Sequence, residues 1–290
     1  MSAARKILVV GGTGFLGLNV CKQAVWRGWE VISLSRRGLP TGTTSNSQGE
    51  WKSEVQWVAG DSTEPDSYKE ILEGVTDVVH TVGILMENDY KKIVQAKSVT
   101  DAIDGVGSVF GQLLGMKDNG NPFKQDSTTP KVTYEMMNRD TAISLAKAAA
   151  GTPSIQSYIY VSATDLFPCI SPRYITTKRE AERYLFSRPE FRSVVLRPGF
   201  MYSDARPATL PLAGVIEALN TVTGPCSRDV ASLPMGTLMT TPALNVDRVA
   251  EAVIESIARP TLKGILDVGD MEKLLSTPPP QPAAPVSAHV

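Results

Sequence analysis

A serine, a tyrosine and a lysine in the second half of the chain have the types and spacing of an acid–base site. Ser162 ends an apolar segment, Tyr174 follows twelve residues later, and Lys178 lies four residues beyond it. Since four residues are about one helical turn, the phenol and the ammonium group share one helix face. An ammonium group lowers the pKa of a neighbouring phenol, which is ordinarily about 10. The Ser162 hydroxyl would then hydrogen-bond a substrate carbonyl.

These residues also have simpler interpretations. Tyr174 and Lys178 would equally form an ordinary amphipathic pair at the start of a helix, and the Ser162 hydroxyl would cap the turn after its strand. His80 ends an apolar strand and is predicted to be a hydrogen-bonded core histidine, whereas His289 lies near the C-terminus. Neither histidine favours a metal site.

A glycine-rich segment near the start of the chain predicts a nucleotide site. The apolar run Ile7–Val10 predicts a strand buried on both faces, and a helical pattern follows from Phe15 to Arg27. The segment between them fits two patterns, Gly12-x-Gly14-x-x-Gly17 and Gly11-x-x-Gly14-x-x-Gly17. Both indicate a dinucleotide, whose diphosphate would bind free N–H groups at the positive end of the helix. A tight turn that binds nothing is the alternative.

The end of the second predicted strand, Glu30–Leu34, indicates which dinucleotide is preferred. An acidic residue about 20 positions beyond the glycines holds a ribose 2′-hydroxyl, whereas an arginine suits a 2′-phosphate. Arg36 lies nineteen residues after Gly17, between Ser35 and Arg37 and without a carboxylate beside it. The sequence therefore predicts NADP(H), with NAD(H) as the alternative cofactor and a solvated arginine pair as the simpler interpretation.

The elements that must position these residues alternate between strands and helices. Further strands are predicted at 55–58, 77–82, 157–162, 193–196 and 265–268, and helices at 65–74, 129–151, 174–187, 210–219 and 245–258. This alternation implies right-handed crossovers and an α/β fold with a doubly wound parallel Rossmann sheet. A small C-terminal subdomain is expected on the substrate side.

The 290 residues are predicted to form one NAD(P)-binding domain over 1–270. An irregular insert at about 86–129 is too long for a simple connection and is expected to be a lid or a docking element. The tail at 271–290 is rich in proline and is predicted to be disordered.

Composition limits the partners. A net charge of −1 gives no electrostatic footprint for nucleic acid or an anionic membrane. No apolar stretch reaches the roughly 18 residues that span a bilayer, so no transmembrane segment is predicted, and no targeting peptide is visible. The cysteines have neither the count nor the spacing of a zinc site or a disulfide framework; they are Cys21, Cys169 and Cys226. We expect a small molecule or another protein as partner.

Together these motifs resemble the short-chain dehydrogenase/reductase superfamily over about residues 5–270. Besides the glycine turn and the Tyr174-x-x-x-Lys178 pair, the resemblance rests on Asp61, Ser162, Leu196-Arg197-Pro198-Gly199 and the segment 242–250. The chain is most similar to the atypical branch, which contains the dehydrogenase-like accessory subunit of mitochondrial complex I and a fungal mitochondrial protein of coenzyme Q biosynthesis. The long insert before Asn138 and the segment 200–204 resemble the fungal member.

The resemblance implies roles for individual residues. Ser162, Tyr174 and Lys178 would assist hydride transfer, Asn138 would complete a proton relay, and Asp61 would contact the adenine. Asp61 would serve equally as a turn former, and Asn138 would otherwise face solvent or satisfy a loop. No metal ligand is predicted.

The motifs and the resemblance together predict that the cofactor contacts Gly11, Gly12, Thr13, Gly14, Phe15, Leu16, Gly17, Ser35, Arg36, Arg37, Asp61, Ser62, Thr81, Val82, Gly83, Ser162, Tyr174, Lys178, Arg197, Pro198 and Gly199.

The resemblance further implies an NADP(H)-binding protein on the matrix side of the mitochondrial inner membrane that acts in or supports coenzyme Q (ubiquinone) biosynthesis. As an NADP-dependent oxidoreductase, it would act on the carbonyl of an apolar, quinone-like precursor. The interval of twelve residues between Ser162 and Tyr174 is shorter than in most catalytic members of the superfamily. It is ordinary in the atypical branch, where several proteins bind the cofactor without turnover. The alternative is therefore a non-catalytic, nucleotide-binding assembly or structural subunit of a mitochondrial complex. A multiprotein coenzyme Q synthesis complex is the partner that the resemblance implies.

Overall fold

The computed structural model describes residues 5–40, 50–84, 132–165, 171–206, 209–223 and 240–278. The strands are β1 (Lys6–Val10), β2 (Glu30–Ser35), β3 (Val55–Ala59), β4 (Asp77–His80), β5 (Ser157–Val161), β6 (Arg192–Leu196), β7 (Met201–Tyr202), β8 (Leu244–Asn245) and β9 (Gly264–Leu266). The helices are α1 (Phe15–Trp26), α2 (Glu50–Ser53), α3 (Thr141–Ala150), α4 (Pro172–Phe186), α5 (Leu210–Thr223), α6 (Val246–Ala258) and α7 (Val268–Ser276). A π-helical segment, Glu135–Asp140, leads into α3.

The main sheet has seven strands in the order β3-β2-β1-β4-β5-β6-β9, and every neighbouring pair is parallel. The predicted doubly wound Rossmann sheet is therefore confirmed. The chain runs outward from β1 to β3 and then returns to place β4 on the other side of β1. This reversal leaves a crevice at the carboxyl ends of β1 and β4, the position at which open α/β sheets bind their ligands.

The central strands β1, β4 and β5 are buried on both faces because helices cover the sheet on each side. In β1, Ile7 and Val9 face the core that contains α1, α6 and α7, whereas Leu8 and Val10 face the core that contains α3 and α4. This alternation explains why the strand has an unbroken apolar sequence. Fully burying one such aliphatic side chain contributes roughly 1.5–3 kcal/mol, so β1 is strongly anchored at the centre of the domain.

A small lobe lies outside the main sheet and consists of the parallel pair β7–β8 and the helix α5. The lobe is tied to the main domain because β8 leads directly into α6, whose first turn is capped by the side chain of Asn245. Helix α6 packs along α1, and the Gln23 side chain donates a 2.8 Å hydrogen bond to the Asp247 carbonyl. The lobe corresponds to the predicted C-terminal subdomain.

Three predicted elements differ from the structure. The helix predicted at 65–74 is two short 3₁₀ turns, Pro65–Ser67 and Glu70–Leu72, because Tyr68 adopts an extended φ of −138° and its side chain is buried in the core. The strands predicted to end at 82 and 268 end at His80 and Leu266. The insert at 86–129, the start of the helix predicted from 129 and residues 279–290 lie outside the described residues.

The prediction of disorder from residue 271 is wrong for residues 271–276, which belong to α7. The helix begins at Asp267, whose side chain accepts a hydrogen bond from the Asp270 amide while the Asp270 side chain accepts one from the Asp267 amide. Met271 and Leu274 are buried in the core beside α6. The proline-rich composition nearby concealed this short capping box. No helix of the described residues is long and apolar enough to cross a membrane.

Replacing Met271 by Ala should lower the free energy of unfolding by about 2 kcal/mol or more, because the truncation leaves a cavity in the core. Lys273→Ala, on the same helix, is the matched control because 82% of the Lys273 side chain is exposed. The control should change stability by less than about 0.5 kcal/mol. Urea unfolding followed by circular dichroism measures both values. Equal stability of the two variants would show that α7 does not belong to the core.

Candidate dinucleotide-binding site

A cavity of about 780 Å³ lies at the carboxyl ends of the central strands. This volume is in the range of small-molecule and cofactor sites. The predicted site residues that line it are Gly11, Thr13, Gly14, Phe15, Leu16, Ser35, Arg36, Arg37, Ser62, Thr81, Val82, Gly83, Ser162, Tyr174, Lys178, Pro198 and Gly199. The predicted residues that do not line it are Gly12, Gly17, Asp61, Asn138 and Arg197.

The glycine turn divides into glycines that face the cavity and glycines that permit close packing. Gly11 has a φ of +88°, which an L side chain rarely adopts, and an added Cβ would lie 2.6 Å from the Thr81 hydroxyl oxygen. An added Cβ at Gly17 would overlap the Gly11 carbonyl oxygen, and one at Gly12 would overlap the Ser33 hydroxyl. Gly12 and Gly17 therefore shape the turn, and their direct contact with a cofactor stays a prediction.

The N-terminus of α1 is open towards the cavity. Gly14 is the N-cap residue and provides no side-chain capping bond, and the first turn contains no acidic residue. Phe15 and Leu16, the first residues of the helix, line the cavity. Because the first N–H groups of a helix have no partner within it and carry the positive end of its dipole, this end is suited to a diphosphate. The turn thus fits a dinucleotide.

Positive charge is also present at the end of β2. Arg36 and Arg37 are exposed and line the cavity, and neither has a salt-bridge partner in the part of the chain that the structure describes. The Ser35 hydroxyl is engaged with the Gly38 carbonyl at 3.2 Å. Both guanidinium groups thus lie beside the cavity at the carboxyl end of β2.

Asp61 acts as a turn former. Its Oδ1 atom accepts hydrogen bonds from the Thr63 amide at 2.9 Å and from the Thr63 hydroxyl at 2.8 Å. Ser62, the next residue, lines the cavity, whereas Asp61 does not. The simpler interpretation of this aspartate is therefore confirmed, and contact of Asp61 with an adenine stays a prediction.

Ser162 is hydrogen-bonded to a buried ionic cluster that consists of Glu182, Arg179 and Arg197. The Ser162 hydroxyl donates to Glu182 Oε1 and accepts a 3.0 Å bond from Arg179. Glu182 also accepts hydrogen bonds from Arg179 at 2.5 Å and from Arg197. Only 3% of the Glu182 side chain is exposed. Since a hydroxyl has a single proton to donate, Ser162 does not donate to a substrate carbonyl in this arrangement, contrary to the expectation from the sequence.

Glu182 stays ionised although it is buried. Burial alone would raise its pKa, but hydrogen bonds from Arg197 and Ser162 and the charges of Arg179 and Arg197 together lower the pKa below the ordinary value. Arg197 is thus part of this ionic cluster, and its contact with the cofactor stays a prediction. The cluster links β5, α4 and β6, the elements that carry the cavity wall.

Tyr174 and Lys178 share a helix face as predicted, but the predicted effect of the lysine on the phenol is wrong. Lys178 Nζ donates a 2.9 Å hydrogen bond to the Val161 carbonyl and lies 4.8 Å from the centre of the Tyr160 ring. Burial lowers the pKa of Lys178 to about 7. Burial, followed by the nearby phenol of Tyr134, raises the pKa of Tyr174 to about 12. Desolvation therefore outweighs any charge effect, and the Tyr174 phenol is neutral near pH 7.

The Asn138 side chain hydrogen-bonds the backbone of the loop after β4 and does not face solvent. It is fully buried in the π-helical segment, where its Oδ1 accepts from the Ile84 amide at 2.9 Å and its Nδ2 donates to the Ile84 carbonyl at 3.1 Å. The backbone carbonyl of Asn138 accepts a 2.6 Å bond from the Tyr160 hydroxyl. The residue thereby holds the segment after β4 that contains Gly83, and a role in a proton relay stays a prediction.

His80 is a core histidine, as predicted. Its Nε2 atom lies 3.1 Å from the Thr141 hydroxyl, and burial, followed by the charge of Lys178, lowers its pKa to about 3. The imidazole is therefore neutral at physiological pH. Within the described ranges, no group of His, Cys, Asp and Glu could hold a metal ion.

Two functional side chains were missed from the sequence. Glu182 lies four residues after Lys178 and eight after Tyr174, so helical periodicity could have placed it on the same face of α4. Arg206 lies in a turn of the small lobe and lines the cavity. Its position depends on the packing of that lobe, for which the sequence carries no local signal.

Replacing Glu182 by Gln should lower the free energy of unfolding by about 3 kcal/mol at neutral pH, since two guanidinium groups lose their buried partner. The matched control Glu180→Gln breaks the surface pair with Arg139 and should cost less than about 1 kcal/mol. Folding lowers the pKa of Glu182, so its stabilisation should decrease as pH falls below the ordinary value of 4.5. The difference in the free energy of unfolding between the wild type and Glu182→Gln, measured by urea unfolding, should therefore become smaller below pH 4.5. A pH-independent or negligible difference would contradict the described cluster.

Comparisons with known proteins agree with this geometry. Residues 7–99 match the NAD dependent epimerase/dehydratase family. The chain is 35% identical over 283 residues to MIOREX complex component 2 of Saccharomyces cerevisiae, covering 92% of this chain and 99% of that protein. It is 28% identical over 278 residues to an uncharacterised chloroplastic protein of Arabidopsis thaliana, covering 93% of this chain and 77% of that protein.

Solved structures share the fold at low sequence identity. UDP-glucuronic acid 4-epimerase from Bacillus cereus, in complex with NAD, has a TM-score of 0.52 and 15% identity and covers 91% of this chain and 76% of its own. The Bordetella bronchiseptica enzyme WbmF, in complex with NAD⁺, has a TM-score of 0.53 and 15% identity and covers 91% of this chain and 73% of its own. The chain therefore belongs to the epimerase and short-chain dehydrogenase/reductase-like family that it shares with its relative, MIOREX complex component 2 of Saccharomyces cerevisiae.

Proposed function

We propose that the protein binds NADP(H) at the carboxyl ends of its central strands and supports mitochondrial coenzyme Q biosynthesis as a nucleotide-binding component of a protein assembly. The observation that carries the binding proposal is the uncapped N-terminus of α1, which opens into a cavity of about 780 Å³. The preference for NADP(H) over NAD(H) rests on Arg36 and Arg37 at the end of β2, where a guanidinium group suits a 2′-phosphate.

The cellular part of the proposal rests on family membership. The branch that the sequence resembles contains a fungal mitochondrial protein of coenzyme Q biosynthesis, and the yeast relative carries the name of a complex component. We therefore place the protein on the matrix side of the mitochondrial inner membrane, within a multiprotein complex. The insert at 86–129 is the proposed docking element or lid.

The hydrogen bonds and burial of Ser162 and Tyr174 favour a role in a protein assembly over catalytic turnover. The Ser162 proton is directed to Glu182, and the pKa of Tyr174 is raised to about 12 by burial. A carbonyl in the cavity would thus lack the serine donor that polarises it. Nucleotide binding would still stabilise the native fold by mass action, which is sufficient for a structural role.

A second candidate function is that of an NADP-dependent oxidoreductase acting on a carbonyl of an apolar, quinone-like precursor. It is favoured by the convergence of Ser162, Tyr174 and Lys178 on the same cavity, next to the apolar side chains of Phe200 and Met201. The bound nucleotide would supply the hydride, and Tyr174 would supply the proton to the carbonyl oxygen. This function requires the Ser162 hydroxyl to turn away from Glu182.

Replacing Arg36 by Ala should weaken NADPH binding roughly ten-fold or more and leave NADH binding unchanged, because only NADPH has the phosphate that the arginine contacts. Titration calorimetry with both dinucleotides measures the change. The control is Arg183→Ala, which removes an exposed arginine of α4 that does not line the cavity. Tighter binding of NADH than of NADPH to the wild type would refute the NADP(H) assignment.

Replacing Tyr174 by Phe should leave both NADPH affinity and coenzyme Q levels unchanged in cells that lack the wild-type protein, since an assembly component needs no phenol proton. The ring is retained, so its edge contact with Tyr134 at 5.9 Å is kept. Tyr184→Phe, outside the cavity, is the matched control. Loss of coenzyme Q in the Tyr174→Phe cells alone, with normal folding and NADPH binding, would favour the oxidoreductase.

A further inference from the structure

Arg206 of the small lobe lies directly beside the start of α1. Its guanidinium carbon is 4.4 Å from the centre of the Phe15 ring. Phe15 is the first residue of α1, and both side chains line the cavity. The positive charge of the arginine is therefore held next to the open, positively polarised end of the helix. Both positive features favour a negatively charged ligand at this place.

The turn that carries Arg206 is held by several hydrogen bonds. The Arg206 amide donates to the Ser203 carbonyl at 2.9 Å, and the Thr209 hydroxyl donates to the Arg206 carbonyl at 2.7 Å. The turn follows β7, which pairs with β8, and β8 continues into the helix α6 that packs on α1. The backbone at Arg206 is thus positioned relative to α1 by hydrogen bonds within the protein itself, and such ordering reduces the entropy cost of binding.

The contact with Phe15 leaves the N–H groups of Arg206 available for a ligand. A cation–π contact uses the charge of the guanidinium group and not its hydrogen-bond donors, and the five N–H donors of an arginine suit two phosphate oxygens. Arg206 forms no salt bridge with any residue in the described part of the chain. Asp204 lies on the same turn, but does not pair with it.

We propose that Arg206 binds the diphosphate of the dinucleotide together with the N–H groups of α1, so that the small lobe supplies a second positive contact to the ligand. This inference rests on the proposed function, since it names one more residue of the same site. Arg206 and Arg36 thereby have different tasks. Arg206 contacts the phosphates that every dinucleotide has, and Arg36 contacts the phosphate that only NADP(H) has.

The test is to measure NADPH and NADH affinities of Arg206→Ala by titration calorimetry. Both affinities should fall roughly ten-fold or more, with their ratio unchanged, because the diphosphate is common to both ligands. Phe15→Leu keeps apolar bulk but removes the ring that orients the guanidinium, and should weaken both dinucleotides in the same way. Arg188→Ala is the matched control, because Arg188 also lies over a tyrosine ring, at 5.7 Å, but outside the cavity.

The outcomes separate this inference from the function on which it rests. Unchanged affinities of Arg206→Ala, with normal NADPH binding by the wild type, would overturn the inference alone. A loss confined to NADPH would overturn it too, because Arg206 would then contact the 2′-phosphate. Failure of the wild type to bind either dinucleotide would refute both proposals. The melting temperature of each variant without nucleotide confirms that it is folded, and Arg206→Lys should retain intermediate affinity for both ligands.

Discussion

The attraction between an anion and the uncapped N-terminus of α1 is the interaction on which the site depends. Gly14 supplies no capping side chain, and no carboxylate in the first turn neutralises the helix dipole. The starts of α6 and α7 are instead capped by side chains, those of Asn245 and Asp267. The uncapped start of α1 lies at the topological switch point of the sheet, where a phosphate ligand would satisfy its N–H groups.

A second constraint is the competition for Ser162 between catalysis and the ionic cluster. Glu182 is buried between two arginines, and its charge requires the hydrogen bonds that Ser162, Arg179 and Arg197 provide. Turning the Ser162 hydroxyl away from this cluster would remove one hydrogen bond from the buried Glu182 carboxylate, and this loss would destabilise the folded protein. The side chains expected of a reductase are therefore present, but their bonding stabilises the cavity wall.

The sequence predicted the sheet and the cavity because both depend on local patterns. The glycine turn, the apolar strand at its start and the arginines of β2 lie close together in the chain, and their structural consequences are short-range. What could not be predicted depends on tertiary packing. The partner of Ser162, the desolvation of Tyr174 and the approach of Arg206 to Phe15 all arise from segments that meet only after folding. The capping box of α7 was visible in the sequence, but was obscured by the prolines that follow.

The most direct test of the central claim is a crystal structure of the protein grown with NADPH. The account predicts the diphosphate within hydrogen-bonding distance of the backbone N–H groups of Phe15 and Leu16, the first residues of α1. Density for the dinucleotide at any other position, or a glycine turn that stays without ligand at saturating NADPH, would contradict it.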